Sequence, residues 1–126
     1  MTANANVEIV RKAFDAFGRA DVDALGDLYT DDYVIEFPYA KPEPGRVEGL
    51  STVQDYLRVA FQTFRFTLTI TDVYEVEPDF LIAEYTSSGE IVPTGKPYAN
   101  SYVGLWRFRD GRASFTREYY DPMAAL

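Results

Sequence analysis

Apolar positions recur at two different periods along the chain, and the change of period divides it. Over residues 6 to 18, Val7, Val10, Phe14 and Phe17 fall at helical spacing, with Glu8, Arg11, Lys12 and Asp15 on the other side. This predicts an amphipathic helix ending at Gly18. Asp21 is a good N-cap for a short second helix in which Val22, Leu25, Leu28 and Tyr29 form the buried stripe. After Thr30-Asp31-Asp32 comes Tyr33-Val34-Ile35-Glu36-Phe37, a β-rich run that Pro38 terminates. Residues 38 to 49 hold three prolines and two glycines and no periodicity, so they read as a loop, long enough to cover a site. Ser51 and Gln54 have the spacing of a capping box and predict a third helix, with Val53, Tyr56, Leu57, Ala60 and Phe61 as its apolar side and an end near Thr63.

Strict alternation then sets in. Phe64, Phe66, Leu68 and Ile70 alternate with Thr67, Thr69 and Thr71, the pattern of a half-buried strand. A turn at Pro78 leads into a strand over Phe80 to Thr86, followed by irregularities at Gly89 and at Pro93-Thr94-Gly95. The strongest local signal is the last one. Two runs rich in Tyr, Val, Trp, Phe and Thr flank Asp110-Gly111, the dipeptide that supplies the positive φ angles of a tight hairpin. Alternation puts Asn100, Tyr102, Gly104, Trp106 and Phe108 on one face of that hairpin's first strand, and Ser114, Thr116, Glu118 and Tyr120 on one face of its second. The opposite face carries Arg107, Arg109, Arg117 and Tyr119, a composition suited to water or a partner chain. Three helices followed mainly by antiparallel strands define an α+β domain, and no repeat or linker breaks residues 1–126 into parts.

Composition narrows the chemistry. The chain has no cysteine and no histidine, which removes thiolate metal sites, disulfides and the usual neutral-pH base, leaving Asp, Glu, Tyr or Lys for any proton transfer. No metal site is expected from the spacing of the acids. The glycine patterns that bind nucleotides are missing, so no cofactor is expected. A formal net charge of −8 disfavours nucleic acid and anionic membrane surfaces as partners. The N-terminal sequence lacks the basic start and apolar core of a signal peptide, and a cytoplasmic protein is the simplest inference. Aromatic residues make up 16% of the chain and ten of them are tyrosines, which suggests a cavity with an apolar wall and hydroxyl tips, or a tyrosine-rich dimer face.

The order helix, short helix, strand, proline-rich loop, helix and curved antiparallel sheet resembles the nuclear transport factor 2-like superfamily. The ending GKPYANSYVGLWRFRDGRASFTREYYDPMA is similar to the C-terminal hairpin of SnoaL-like proteins, the branch that includes polyketide cyclases and the phenazine-biosynthesis A/B proteins. The resemblance implies a cone-shaped α+β barrel with a pocket between helices and sheet, and a homodimer formed through the outer sheet face. It also implies that Glu118, in its Arg-Glu-aromatic-x-x-Pro setting, acts as an acid/base. Laid along ketosteroid isomerase, which shares this fold, the chain has Ala13, Phe37 and Gly104 where the oxyanion tyrosine, the base and the second oxyanion donor would stand. That apparatus is therefore absent. The pocket histidines of the polyketide cyclases are absent too, and Arg107, Arg109 and Arg117 have the wrong parity to complete an epoxide-hydrolase set with Glu118.

From the residues themselves, Glu118 is the one acid placed inside, where desolvation would raise its pKa into the range useful for general acid/base work. The alternative is an ion pair of Glu118 with Arg117 or another arginine at a dimer surface. Asn100 and Tyr102 are its natural catalytic partners, as donors to a developing enolate. Phe14, Phe17, Tyr33, Phe37, Tyr56, Phe61, Trp106, Thr116 and Tyr120 are candidates for the substrate-binding wall, and Asp121 for fixing the C-terminus. The expected function is proton transfer on a small hydrophobic, cyclic or polyketide-like carbonyl compound of secondary metabolism, giving isomerisation, cyclisation or dehydration. The rival is a non-catalytic binding or association module that uses the outer sheet face.

Overall fold

The computed structural model describes residues 3–125. Helix α1 (Ala3–Gly18) is followed by a 3-10 turn (Val22–Asp27), strands β1 (Tyr29–Phe37) and β2 (Gly45–Glu48), and helix α2 (Leu50–Thr63). Four long strands complete the chain: β3 (Phe64–Glu77), β4 (Phe80–Ile91), β5 (Lys96–Arg109) and β6 (Arg112–Tyr120). The six strands form one curved sheet in the order β2-β1-β6-β5-β4-β3, antiparallel throughout except for the parallel pair β1–β6. The edge strands β2 and β3 do not meet, so the cone stays open. The α+β class is as expected from the sequence.

The helices cover the inner face, where Leu81, Ala83 and Tyr85 of β4 meet Trp106 and Phe108 of β5 and Val10, Ala13 and Phe14 of α1. Asn6 ties α1 to the β3–β4 turn, donating from Nδ2 to the Pro78 carbonyl and to Asp79 Oδ1, each at 3.2 Å. Among the described residues no helix is long and apolar enough to cross a membrane.

Long-range pairing moves several boundaries. Asp21 does cap the second helical segment, accepting from the Ala24 amide, but the segment is a 3-10 turn that ends before Leu28. Tyr29 opens β1 instead, paired with Ala113 of β6. A register shift between Tyr29 and Val34 bulges the strand there, and with Asp31 and Asp32 exposed it hides the alternation that would mark strand in the sequence.

Part of the proline-rich segment is also strand, since β2 pairs with β1 from Val34↔Glu48 to Phe37↔Gly45. The predicted capping box does not form. Gly49, at φ +90°, donates to the Tyr33 carbonyl at 2.8 Å and starts α2 at Leu50, so Ser51 lies inside the helix and Gln54 donates to the Val22 carbonyl instead.

Gly89 does not interrupt β4, which runs on to Ile91. A Cβ at Gly89 would come within 2.0 Å of the Arg65 carbonyl oxygen and 2.5 Å of Phe66 Cα, so this glycine marks a close backbone approach inside a continuous strand. In the terminal hairpin Asp110 (φ 54°) and Gly111 (φ 77°) take the expected left-handed angles. A register shift between Arg107 and Phe108 leaves Ser114 without a ladder partner, so Ala113, fully buried, occupies the inner face in place of Ser114.

Candidate active site

A cavity of about 420 Å³ lies between the two helices and the inner face of the sheet. Its wall is built from Phe17 of α1, Ile35 and Phe37 of β1, Tyr56, Leu57 and Phe61 of α2, and Phe64, Phe66 and Leu68 of β3. Its polar groups come from Tyr29 and Tyr33 of β1, Tyr56 of α2, Tyr98 and Tyr102 of β5 and Glu118 and Tyr120 of β6, and the flanking segments add Lys41, Asp121 and Pro122. The segment between β1 and β2 thus reaches the cavity through Lys41.

Glu118 is the acid on this wall that the inner face of the sheet supplies. It pairs across the ladder with Gly104 and turns into the cavity, and its Oε2 accepts a hydrogen bond of 2.5 Å from the Tyr85 hydroxyl. Burial among rings pushes its pKa up to about 7, and the Tyr85 hydrogen bond opposes part of that rise. The alternative pairing with Arg117 does not occur, because Arg117 Nε donates to Glu36 Oε1 at 2.8 Å on the other face, where Arg46 joins it.

Tyr85 is the residue that sequence reasoning missed. It stacks on Tyr102 with ring centroids 5.2 Å apart and packs against Phe14 at 4.7 Å. To reach Glu118 on β6 it crosses β5 at Gly104, where an added Cβ would stand 2.5 Å from its hydroxyl and 2.7 Å from Trp106 Nε1. The signal was available, since Tyr85 has the inward parity of Leu81 and Ala83 in a strand legible from the sequence.

The structure gathers Glu118, Tyr102, Phe17, Tyr33, Phe37, Tyr56, Phe61 and Tyr120 around the cavity. It places Phe14, Trp106, Thr116 and Asn100 elsewhere. Phe14 and Trp106 belong to the core below, with ring centroids 5.9 Å apart. Thr116 is fully buried and accepts from the Tyr33 hydroxyl at 2.6 Å.

Asn100 has no capacity left for a substrate. Its Nδ2 donates to Tyr98 Oη and to the Asp121 carbonyl, both at 2.9 Å, and its Oδ1 accepts from the Ser101 and Asp121 amides at 2.8 and 3.1 Å. All four of its positions hold the chain in place where it leaves β6. Asp121, expected to fix the C-terminus, accepts from the Met123 amide at 2.9 Å. The Tyr102 ring lines the cavity, but its hydroxyl donates to Ser87 Oγ at 2.9 Å. Neither Asn100 nor Tyr102 has a proton left to offer a substrate oxygen.

Residues 10–115 match the family profile of the SnoaL-like domain. YesE, an uncharacterized protein of Bacillus subtilis, is 33% identical over 120 residues, covering 92% of this chain and 81% of its own. An uncharacterized PhzA/B-like protein of Pseudomonas aeruginosa is 32% identical over 108 residues, covering 82% of this chain and 77% of its own. Among solved structures, a candidate isomerase from Bacillus subtilis superposes with a TM-score of 0.88 at 30% identity, over 96% of this chain and 89% of that one. A candidate SnoaL-like polyketide cyclase from Jannaschia sp. has the same fold, with a TM-score of 0.80 at 23% identity over 97% of this chain and 89% of that one.

Proposed function

The chain belongs to the SnoaL-like family, and from that premise we propose that it is an enzyme that moves a proton on a small cyclic or polyketide-like carbonyl compound. The outcome would be isomerisation, cyclisation or dehydration in secondary metabolism, and such chemistry needs no cofactor. The observation that carries this reading is the Glu118 carboxyl, supplied by the inner face of the sheet to a mainly apolar cavity, with its pKa pushed up to about 7. The likeness to a candidate isomerase at 30% identity supports the same kind of activity.

A carboxylate of that pKa is a stronger base than an ordinary one and still ionises at neutral pH. It can take the proton from the carbon next to a carbonyl, so that the C–H pair forms the C=C bond of an enolate while the carbonyl π pair moves to oxygen, and return the proton at a second carbon as the carbonyl re-forms. Tyr85 touches no substrate in this scheme. It holds Glu118 Oε2 and leaves the other carboxyl oxygen to work.

The test is the rate at which the protein exchanges the α-protons of 2-tetralone for deuterium, followed by NMR across pH. The catalysed rate should rise with pH through a midpoint near 7, the value of the base. A midpoint in the ordinary carboxylate range, or no catalysed exchange, would sink the proposal.

We further propose that two copies pair through the outer sheet face. The arginines expected to make that face a recognition surface are engaged within the chain: Arg107 lies 4.2 Å above the Phe80 ring, Arg109 binds Asp32 and Arg117 binds Glu36. What they leave exposed is a row of hydroxyl side chains, Thr69, Thr71, Thr86 and Ser101, around Val103 at the centre of the ladder between Glu84 and Tyr119, with Tyr39 and Tyr74 also exposed. Sedimentation velocity should show a dimer for the wild type and a monomer for Val103→Asp. A wild type that sediments as a monomer at all accessible concentrations overturns this pairing.

A further inference from the structure

With Asn100 and Tyr102 committed elsewhere, the cavity needs another source of protons for a carbonyl oxygen, and its tyrosines divide cleanly on this point. Tyr33 donates to Thr116 and Tyr102 to Ser87. The Tyr98 hydroxyl accepts from Asn100 and stands 3.4 Å from that of Tyr102. The Tyr29 hydroxyl has no hydrogen-bond partner, but the residue is 1% exposed and stacked on Tyr33. Tyr56 and Tyr120 remain. Both line the cavity, and among the described residues neither hydroxyl makes a hydrogen bond.

They come from different elements, α2 and β6, and converge on one ring. Phe37 lies 5.8 Å from Tyr56 at an interplanar angle of 32° and 6.2 Å from Tyr120 at 74°. Tyr120 follows Glu118 by two residues on the same strand face, so their Cα atoms stand about 6.6 Å apart. That distance suits a carbonyl oxygen held at one side chain and a neighbouring C–H presented to the other. Burial pushes the Tyr120 phenol up to about 12, with Tyr56 and Glu118 adding to the rise, so it stays a donor at neutral pH.

We propose that Tyr120 and Tyr56 are the hydrogen-bond donors to the substrate's carbonyl oxygen, and that its ring lies against Phe37. The inference rests on the proton-transfer reading given above. When the Glu118 carboxylate takes the α-proton, the C–H pair forms the C=C bond, the carbonyl π pair moves to oxygen, and the two phenols donate to the oxyanion that forms. The substrate class this fits is a flat, ring-sized ketone whose oxygen and acidic carbon lie on one edge.

2-Naphthol is a probe whose oxygen imitates the enolate oxygen, and naphthalene is the same ring without it. Binding of both would be measured by titration of the intrinsic fluorescence in the wild type, Tyr120→Phe, Tyr56→Phe and the double variant. Each single change should weaken 2-naphthol by about tenfold, the scale of one hydrogen bond, and the double change by more, with naphthalene affinity unchanged. Undiminished 2-naphthol binding, equal losses for both probes, or no 2-naphthol binding by the wild type would each overturn the assignment. Glu118-dependent exchange of 2-tetralone that survives in the double variant at the wild-type rate would remove the two donors and leave the proton-transfer reading standing. Loss of Glu118 dependence would remove that reading itself.

Discussion

Glu118→Gln is expected to lower the exchange of 2-tetralone α-protons by about 10²–10⁴-fold, the usual contribution of a positioned general base. The amide keeps the shape of the carboxyl and can still accept from Tyr85, so ring binding should survive while the rate falls. The same change has a second signature in stability. Glu118 titrates higher in the folded protein than in the unfolded chain, because burial penalises its charged form. Between the two values the folded state holds the extra proton, so stability is fully present below the unfolded pKa and falls as pH rises through the folded value near 7. Each pKa unit is about 1.4 kcal/mol, so the loss is on the order of 3 kcal/mol. Glu118→Gln should abolish that loss, making the variant more thermostable than the wild type at pH 8 and similar to it near pH 5. A variant that keeps the wild-type exchange rate would show that Glu118 is not the base. One that is less stable at both pH values would show that its carboxylate is held by favourable contacts rather than by a desolvating cavity.

Much of this site was legible because the terminal hairpin carries its own register. The Asp110-Gly111 turn fixes which residues of β5 and β6 share a face, and alternation then places Glu118, Tyr120, Tyr102 and Trp106 inward without knowledge of the rest of the fold. Periodicity fails where pairing rather than pattern decides. Tyr29 joins β1 because β6 lies beside it, and β2 exists only as the partner of β1. Ser114 looked inward until the register shift beside Phe108 moved Ala113 into its place.

The depth of a side chain along the viewing direction is likewise invisible to alternation. Trp106 and Thr116 have the right parity for the cavity and Phe14 the right helix face, and all three lie beneath it. Asn100 shows a further limit, since its face could be read from sequence but its four partners, two of them on Asp121, could not. The correspondence with ketosteroid isomerase pointed to a vacancy at Gly104. The fold answers with Tyr85, which approaches from β4 through the space that Gly104 leaves.

That arrangement makes Gly104→Ala the second large effect. Gly104 needs no left-handed backbone, so its cost on substitution is steric. A methyl group would stand 2.5 Å from the Tyr85 hydroxyl, 2.7 Å from Trp106 Nε1 and 3.0 Å from Tyr85 Cε1. Tyr85 is held on its flanks by Phe14 and Tyr102, and Trp106 is 2% exposed, so neither ring has room to retreat without disturbing the core. Overpacking of this kind costs about 1–3 kcal/mol. Thermal unfolding should therefore occur several degrees below the wild type.

The site should report the same event separately. Displaced from Glu118, Tyr85 no longer lowers the carboxyl's pKa, so the midpoint of the pH–exchange profile should move upward from about 7. Tyr85→Phe provides the comparison, because it removes the hydroxyl without adding a methyl group: its midpoint should move in the same direction. A Gly104→Ala protein that unfolds early but keeps the wild-type midpoint would mean that Tyr85 holds its hydrogen bond despite the clash, and that Gly104 serves packing alone. A shared upward shift in both variants would tie the missing side chain at position 104 to the tuning of Glu118.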